Sequence, residues 1–478
     1  INISTYNFPF NYLFSKEKMQ NIKFLLFGLF YFIQIECQFK YRYNSFYKEP
    51  RHVPIMDRLT KRINEIQTNW QKRLTESRHR QRSIQTNLIN GDLSNDVEAV
   101  FPSAYQTTED LVRKEGYPVE DHNVTTEDGY ILTMHRIPGP PENPLPYGKP
   151  VVFVQHGILC SSTDWVIAGP NKSLGYILAD QGFDVWLGNA RGNTYSRKHM
   201  YYNPENHTKT FWDFSWHEMG VYDLPVVIDY ILAMTGQPKL SYIGHSMGTT
   251  MFYVLLSEKP EYNDKITVMI GMAPIAFINH VKSPVIRFLA TISDPLAFLI
   301  NSLGYYEFLP NNKFLVLVDQ MLCQRGSIAQ GICDNVLFLI AGYDSEQLNK
   351  TVLPLILAHT PAGASSKQLT HYSQLMKLDR TFQQYDLGWL GNWRKYGQLR
   401  PPSYQLNNVK VPVALFYSNN DWLAPGEDVD VLSRKLPNVI GKFRVPLKRF
   451  NHLDFMWAID VKTLLYDDVV KVLRKYNR

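Results

Sequence analysis

Apolar positions along this chain fall into two regimes. From about residue 100 onward, short runs that are apolar at nearly every position (151–154, 185–187, 240–243, 266–270 and 411–416) alternate with longer stretches at helical spacing. Runs that are short and continuous predict strands buried on both faces, as in a mostly parallel sheet covered by helices. The expected class is therefore α/β. Ser215-Trp216-His217-Glu218 has the form of a capping box and predicts a helix through Leu232, with a kink at Pro225. Residues 283–318 are strongly apolar but interrupted by Pro284, Asp294, Pro295 and Pro310. They fit neither a strand nor a membrane span, and read as an insertion of apolar helices. No internal repeat or low-complexity tract is present.

The second regime precedes residue 99. Residues 38–98 are polar, basic and short of core positions, although 56–81 could form an amphipathic helix on Leu59, Ile63, Ile66, Trp70 and Leu74. A solvated extension, a propeptide and a surface-binding arm are all open readings, and Arg78-His79-Arg80-Gln81-Arg82 could be a processing site. Ahead of it, Met19 to Lys23 starts a weakly basic segment, 24–35 is an apolar core of leader length, and Ile35-Glu36-Cys37 is a tolerable cleavage site. The expected organisation is upstream sequence over 1–18, a signal peptide over 19–37, the extension over 38–98 and one domain over 99–478. Secretion or delivery to a lumen follows from it.

Charge adds little to the picture of that domain. The formal net charge is +6, yet residues 38–85 alone carry twelve Lys/Arg against four Asp/Glu, so the rest is close to neutral. A nucleic-acid partner is not expected of a secreted chain with no recognised binding module. Four N-x-S/T triplets, at Asn123, Asn171, Asn206 and Asn349, suit glycosylation in the same compartment. Of the cysteines, Cys37 leaves with the signal peptide. Cys323 and Cys333 can close a short loop holding Gly326 and Gly331, and Cys160 is left as a buried thiol.

Candidate chemistry centres on Gly244-His245-Ser246-Met247-Gly248, between the apolar run 240–243 and a helical stretch. A serine nucleophile has to stand at the apex of a tight strand-to-helix turn so that its hydroxyl clears the sheet. It also needs a base within hydrogen-bond reach and an acid to orient that base. Asp421 follows the run 411–418, and His452 follows Phe443-Arg444-Val445-Pro446. Both lie just past predicted strands, in the order serine, acid, histidine. Asp344 and His371 are the alternative acid and base, from within the insertion. The N–H of Met247 and that of Ile158, after Gln155-His156-Gly157, are the candidate donors to a developing oxyanion. No H-E-x-x-H, Cys/His cluster or phosphate-cradling glycine loop occurs, so no metal or other cofactor is expected.

These residues resemble the animal acid lipase family, the gastric and lysosomal acid lipases and their invertebrate relatives, over about 107–470. The resemblance rests on Gly116-Tyr117-Pro118, Thr126-Glu127-Asp128-Gly129-Tyr130, Gln155-His156-Gly157 and Asp184-Val185-Trp186-Leu187-Gly188-Asn189. It continues through Arg191-Gly192-Asn193-Thr194, Tyr222-Asp223-Leu224-Pro225, Gly244-His245-Ser246, the pair Cys323 and Cys333, and Asn451-His452-Leu453-Asp454-Phe455. It implies an α/β-hydrolase fold with Ser246 as nucleophile, Asp421 as acid, His452 as base, and Ile158 and Met247 supplying the oxyanion hole. It further implies a cap with a mobile lid over about 277–408, containing a Cys323–Cys333 bridge, and action on lipid esters at a lipid–water interface in a secreted or lysosomal setting. The chain departs from the gastric and lysosomal members in carrying Met247 where they have Gln, and in its basic extension. A soluble-ester esterase or peptidase of the same fold, and a non-enzymatic lipid-binding protein, are the competing readings.

Overall fold

Nine strands pair into one mixed sheet in the computed structural model, which describes residues 106–291, 306–309 and 337–477. The spatial order is β1 (Glu120–Thr125), β2 (Tyr130–Ile137), β4 (Asp184–Leu187), β3 (Val151–Gln155), β6 (Leu240–His245), β7 (Ile266–Met272), β10 (Val413–Tyr417) and β11 (Val439–Arg444). The short β5 (Lys198–His199) pairs with β2. From β4 to β11 all neighbours are parallel, while β2 runs antiparallel to both β1 and β4. This is the α/β class expected from the alternation of short apolar runs with helices, in the α/β-hydrolase form that the resemblance implied.

Every residue of β3, β4 and β6 is buried, which is why these runs are mostly apolar. Helices α1 (Thr108–Lys114), α2 (Leu174–Asp180), α3 (Leu224–Thr235) and α4 (Met247–Glu258) come from the first part of the domain. Helices α5 (Pro284–Thr291), α6 (Leu353–His359), α7 (Ser366–Met376) and α8 (Gly388–Tyr396) lie between β7 and β10, in the segment where the sequence reading expects an insertion. A two-stranded sheet joins β8 (Glu307–Phe308) to β9 (Ala364–Ser365) inside that segment. Helices α9 (Gly426–Lys435) and α10 (Asp467–Tyr476) complete the domain.

Two local expectations change. The helix predicted over 216–232 is divided: Trp216–Glu218 is one turn, Met219–Asp223 widens into a π turn, and α3 then starts with Pro225 in its first turn. Glu218, Met219, Asp223 and Leu224 all stay in the right-handed helical region, so one helical path continues, and its widened turn lies directly ahead of Pro225, where the missing N–H breaks the ladder. Gly220 sits inside the wide turn, where a Cβ would come within 2.6 Å of Val254 on α4. The β1–β2 hairpin is the second difference. Its first strand is mostly exposed and polar, so no apolar run announces it.

The expected leader over 19–37, the extension over 38–98, and both Cys323 and Cys333 lie outside the described residues, as does most of 292–336. Among the described residues no helix is long and apolar enough to cross a membrane, and no cluster of potential metal ligands occurs.

Candidate active site

Ser246 occupies the junction between β6 and α4 with φ 53° and ψ −119°. That conformation is strained for a residue with a Cβ, and close packing enforces it. A Cβ on Gly244 would lie 2.9 Å from the backbone of Gly248, and one on Gly248 would lie 2.5 Å from the carbonyl of Gln155. Only glycine fits at either position. The Ser246 N–H donates to the Met272 carbonyl at 3.0 Å, tying the turn to the end of β7.

His452 reaches this serine from the loop after β11. Its Nε2 accepts from Ser246 Oγ at 2.9 Å, and its Nδ1–H donates to Asp421 Oδ2 at 2.8 Å and Oδ1 at 3.0 Å. The acid is anchored in turn, because Asp421 Oδ1 accepts from the N–H groups of Leu423 at 2.9 Å and Ala424 at 2.7 Å. All three side chains are buried. The structure thus brings together the three residues that the sequence order singled out, at the C-terminal edge of β6, β10 and β11.

The two candidate oxyanion donors belong to segments that meet at the serine turn. Met247 is the first residue of α4, so its N–H has no intrahelical acceptor. Gly157 packs directly on the serine turn; a Cβ there would be 3.0 Å from Ser246 Cβ and 3.2 Å from His245 Nδ1. Ile158 follows immediately. The neighbouring Leu159 takes a positive φ of 62°, and its carbonyl accepts from the Ala362 N–H at 2.7 Å. The segment that includes Ala362 also accepts from the Thr194 N–H at 2.9 Å, so the inserted region rests on the loop bearing Ile158.

Three further side chains hold this arrangement, and the motifs alone did not mark them. His245 Nε2–H donates to the His452 carbonyl at 3.1 Å. Burial drives its pKa well down, so the ring is neutral. His156 donates from Nδ1 to the Gly157 carbonyl at 2.7 Å and accepts at Nε2 from the Ala190 N–H at 3.0 Å. Burial lowers its pKa to about 4. Gln368, near the start of α7, places Nε2 3.0 Å from Met247 Sδ. His245 and His156 stand inside motifs that do not specify these contacts, and nothing in the sequence marked Gln368.

The alternative acid and base go elsewhere. His371 is buried on α7, stacked on Trp216 with ring centroids 3.7 Å apart, and bonded to Ser215 Oγ and the Gln383 carbonyl. Asp344 is buried against Asp454, two residues beyond His452. Cys160 is a free, buried thiol whose pKa burial pushes well up, which makes it unreactive. Of the four glycosylation candidates, Asn123, Asn171 and Asn206 are exposed, and Asn349 is half-buried with its Oδ1 accepting from the Thr351 N–H.

Comparison with known proteins agrees with this geometry. Residues 108–169 match the family described as a partial alpha/beta-hydrolase lipase region, and residues 150–316 match the alpha/beta hydrolase fold. The chain is 45% identical to Lipase 3 of Drosophila melanogaster over 366 residues, 77% of this chain and 92% of that protein. It is 42% identical to Lipase lipl-1 of Caenorhabditis elegans over 378 residues, 78% of this chain and 92% of the relative. With gastric triacylglycerol lipase of Homo sapiens it shares 39% identity over 374 residues, again 78% and 92%. Similarity of this extent, spanning nearly the whole of each relative, places the chain within the animal acid lipase family.

Proposed function

We propose that this carboxylic ester hydrolase cleaves lipid esters, triglycerides or sterol esters, by an acyl-enzyme route through Ser246. His452 Nε2 takes the Ser246 proton as Oγ attacks the ester carbonyl, and Asp421 holds the imidazole in the tautomer that can accept it. The N–H groups of Ile158 and Met247 receive the negative charge that develops on the carbonyl oxygen. The imidazolium then protonates the leaving alcohol. In the second half, water gives a proton to His452 while its oxygen attacks the acyl carbon, and the fatty acid departs as Ser246 regains its proton. The route draws on no cofactor.

The observation that carries this reading is the continuous chain of contacts from Ser246 Oγ to His452 to Asp421, at 2.9 and 2.8 Å. A fluorophosphonate probe should label wild-type protein at Ser246 and leave Ser246→Ala unlabelled. Labelling at another residue, or none in folded protein that hydrolyses ester, would reassign the nucleophile.

The substrate side rests on the relatives and on the inserted segment of about 277–408, read as a cap. Helix α5 carries a half-exposed Phe288 and leads into the apolar stretch that follows. Apolar surface of that kind is a liability in water and an asset at a lipid surface. Rate on a short-chain triglyceride, followed across its solubility limit, tests the interfacial reading against a soluble-ester esterase. Secretion or lysosomal delivery is supported by the leader pattern over 19–37 and by the N-x-S/T triplets.

A further inference from the structure

Residues 341–344 of the inserted segment touch both loops that carry the acid and the base. The Ala341 carbonyl accepts from the Trp422 N–H at 3.2 Å and from the His452 N–H at 3.3 Å. The Gly342 carbonyl accepts from Asn451 Nδ2 at 3.0 Å, and the Tyr343 carbonyl from Asn420 Nδ2 at 3.0 Å. Gly342 has φ 112°, and a Cβ there would lie 2.1 Å from the Asn420 carbonyl, so the strap lies flat on the acid loop. Asp344 ends it, fully buried, with its carboxyl against that of Asp454 on the base loop.

We propose that the strap 341–344 is a positioning element for His452, and that its link to the base loop is one proton shared between the carboxyl groups of Asp344 and Asp454. The inference rests on the reading of His452 as the base. Its chemistry follows from counting donors. The Asp344 carboxyl accepts from the Glu346 N–H, at 3.2 Å to Oδ1, and from the Gln347 N–H, but Oδ2 is buried with no N–H or O–H donor among the described residues. Asp454 Oδ2 already accepts from the Asn451 N–H at 2.6 Å. Two ionised carboxylates in contact and out of water repel, whereas one proton between them satisfies the orphan oxygen. The other charged groups facing the pair do not supply a donor. Asp421 lies on the Asp454 side with its own donors from His452, and Glu346 lies beside Asp344, paired with Arg449 at 2.8 Å. Burial pushes both carboxyls up, Asp454 well above the ordinary range.

The sign of the pH dependence follows. The native pair retains a proton that the unfolded chain has lost above about pH 4. The stabilisation is complete below that unfolded pKa and disappears as pH rises through the folded one. Losing the proton leaves adjacent carboxylates under the base loop, so His452 is held less well and kcat falls on the alkaline side while KM changes little.

Asp344→Asn tests this, because its amide would place a permanent N–H where the shared proton sits. The readouts are kcat and KM on a water-soluble short-chain ester against pH, and melting temperature against pH. Asp344→Asn should retain turnover at the acid end and move the alkaline limb up by about one pH unit, with melting that falls less steeply than in wild type. Asp454→Asn should do the same. Asp344→Leu, which cannot donate, should lose about tenfold in kcat at every pH. Superimposable wild-type and Asn profiles would overturn the proposal. So would failure of either Asn variant to fold, since an amide donor should serve where the proton does. The melting comparison needs no catalysis, so it separates failure of this inference from failure of Ser246 to label.

Discussion

Gln368 Nε2 lies 3.0 Å from Met247 Sδ, so a helix from the segment between β7 and β10 touches the residue that directly follows Ser246. The same glutamine closes a capping box at the start of α7, its Oε1 accepting from the Ser365 N–H at 2.7 Å. One side chain therefore caps the start of a helix and packs on the turn at Ser246. A thioether is a weak acceptor. Met247→Gln should keep esterase activity within about threefold and raise stability by about 0.5–1 kcal/mol, the scale of one better hydrogen bond. Gln368→Ala should cost about 1–2 kcal/mol through the lost cap. Thermal melting beside an ester assay checks both. Destabilisation by Met247→Gln would mean that the cavity cannot seat an amide.

Ser246→Ala should abolish ester hydrolysis, a loss on the order of 10⁶ in turnover, while leaving melting close to wild type. Among the described residues the Ser246 hydroxyl has one side-chain partner, His452, and the turn conformation is set by Gly244 and Gly248. His452→Ala should be about as severe, because the residues act as a unit. Turnover near wild type in either folded variant would sink the assignment.

Asp421 and Asp344 should part company under the same substitution. In Asp421→Asn, the oxygen is kept by the Leu423 and Ala424 N–H groups, so the amide NH₂ turns toward His452 Nδ1. The imidazole then holds the wrong tautomer, and turnover should fall by roughly 10³–10⁴ with the fold intact. Asp344→Asn should stay active at acid pH. The reverse outcome would make Asp344 the acid.

What could be read from the sequence follows the physics of each element. The central strands β3, β4, β6, β7 and β10 were legible because both faces are covered and most positions are therefore apolar. Strand β1 was not, because its outer positions face water and β-structure there depends on pairing with β2. The π turn at Met219–Asp223 answers to Val254 and to Arg191, which Asp223 binds, partners distant in sequence. Ser246, Asp421 and His452 could be found because strand ends in a parallel sheet converge on one edge, so their order carries spatial information. His245, His156 and the Asp344–Asp454 contact could not. Each depends on which loop lies over which, and chain order does not encode that.

Gly248→Ala should be among the most damaging single substitutions in the domain. The added methyl would lie 2.5 Å from the Gln155 carbonyl oxygen and 2.9 Å from that of His156, both backbone atoms of the loop that presents Ile158. Neither can yield without moving the oxyanion loop off the serine. A loss of about 3 kcal/mol or more is expected, with low accumulation of folded protein. A variant that melts like wild type but turns over slowly would instead show that the loop can shift.

The acid limit of stability should be set by buried neutral imidazoles. Burial holds His371 at about 3 and His156 at about 4, against about 6.5 in an unfolded chain. Between these values the unfolded state binds protons that the native state refuses, so stability falls as pH drops from about 6.5. Each such histidine contributes up to about 1.4 kcal/mol per pH unit across its window. His371→Gln keeps a donor for the Gln383 carbonyl but gives up the stack on Trp216, so it should melt lower at neutral pH. Its stability should nevertheless decline less steeply from pH 6 to pH 4, by about one proton's worth of slope. This trend opposes that of the Asp344–Asp454 pair, whose stabilisation is lost as pH rises. The two together predict a stability maximum between their windows, and parallel melting curves for His371→Gln and wild type over pH 4–6 would remove the histidine half of that argument.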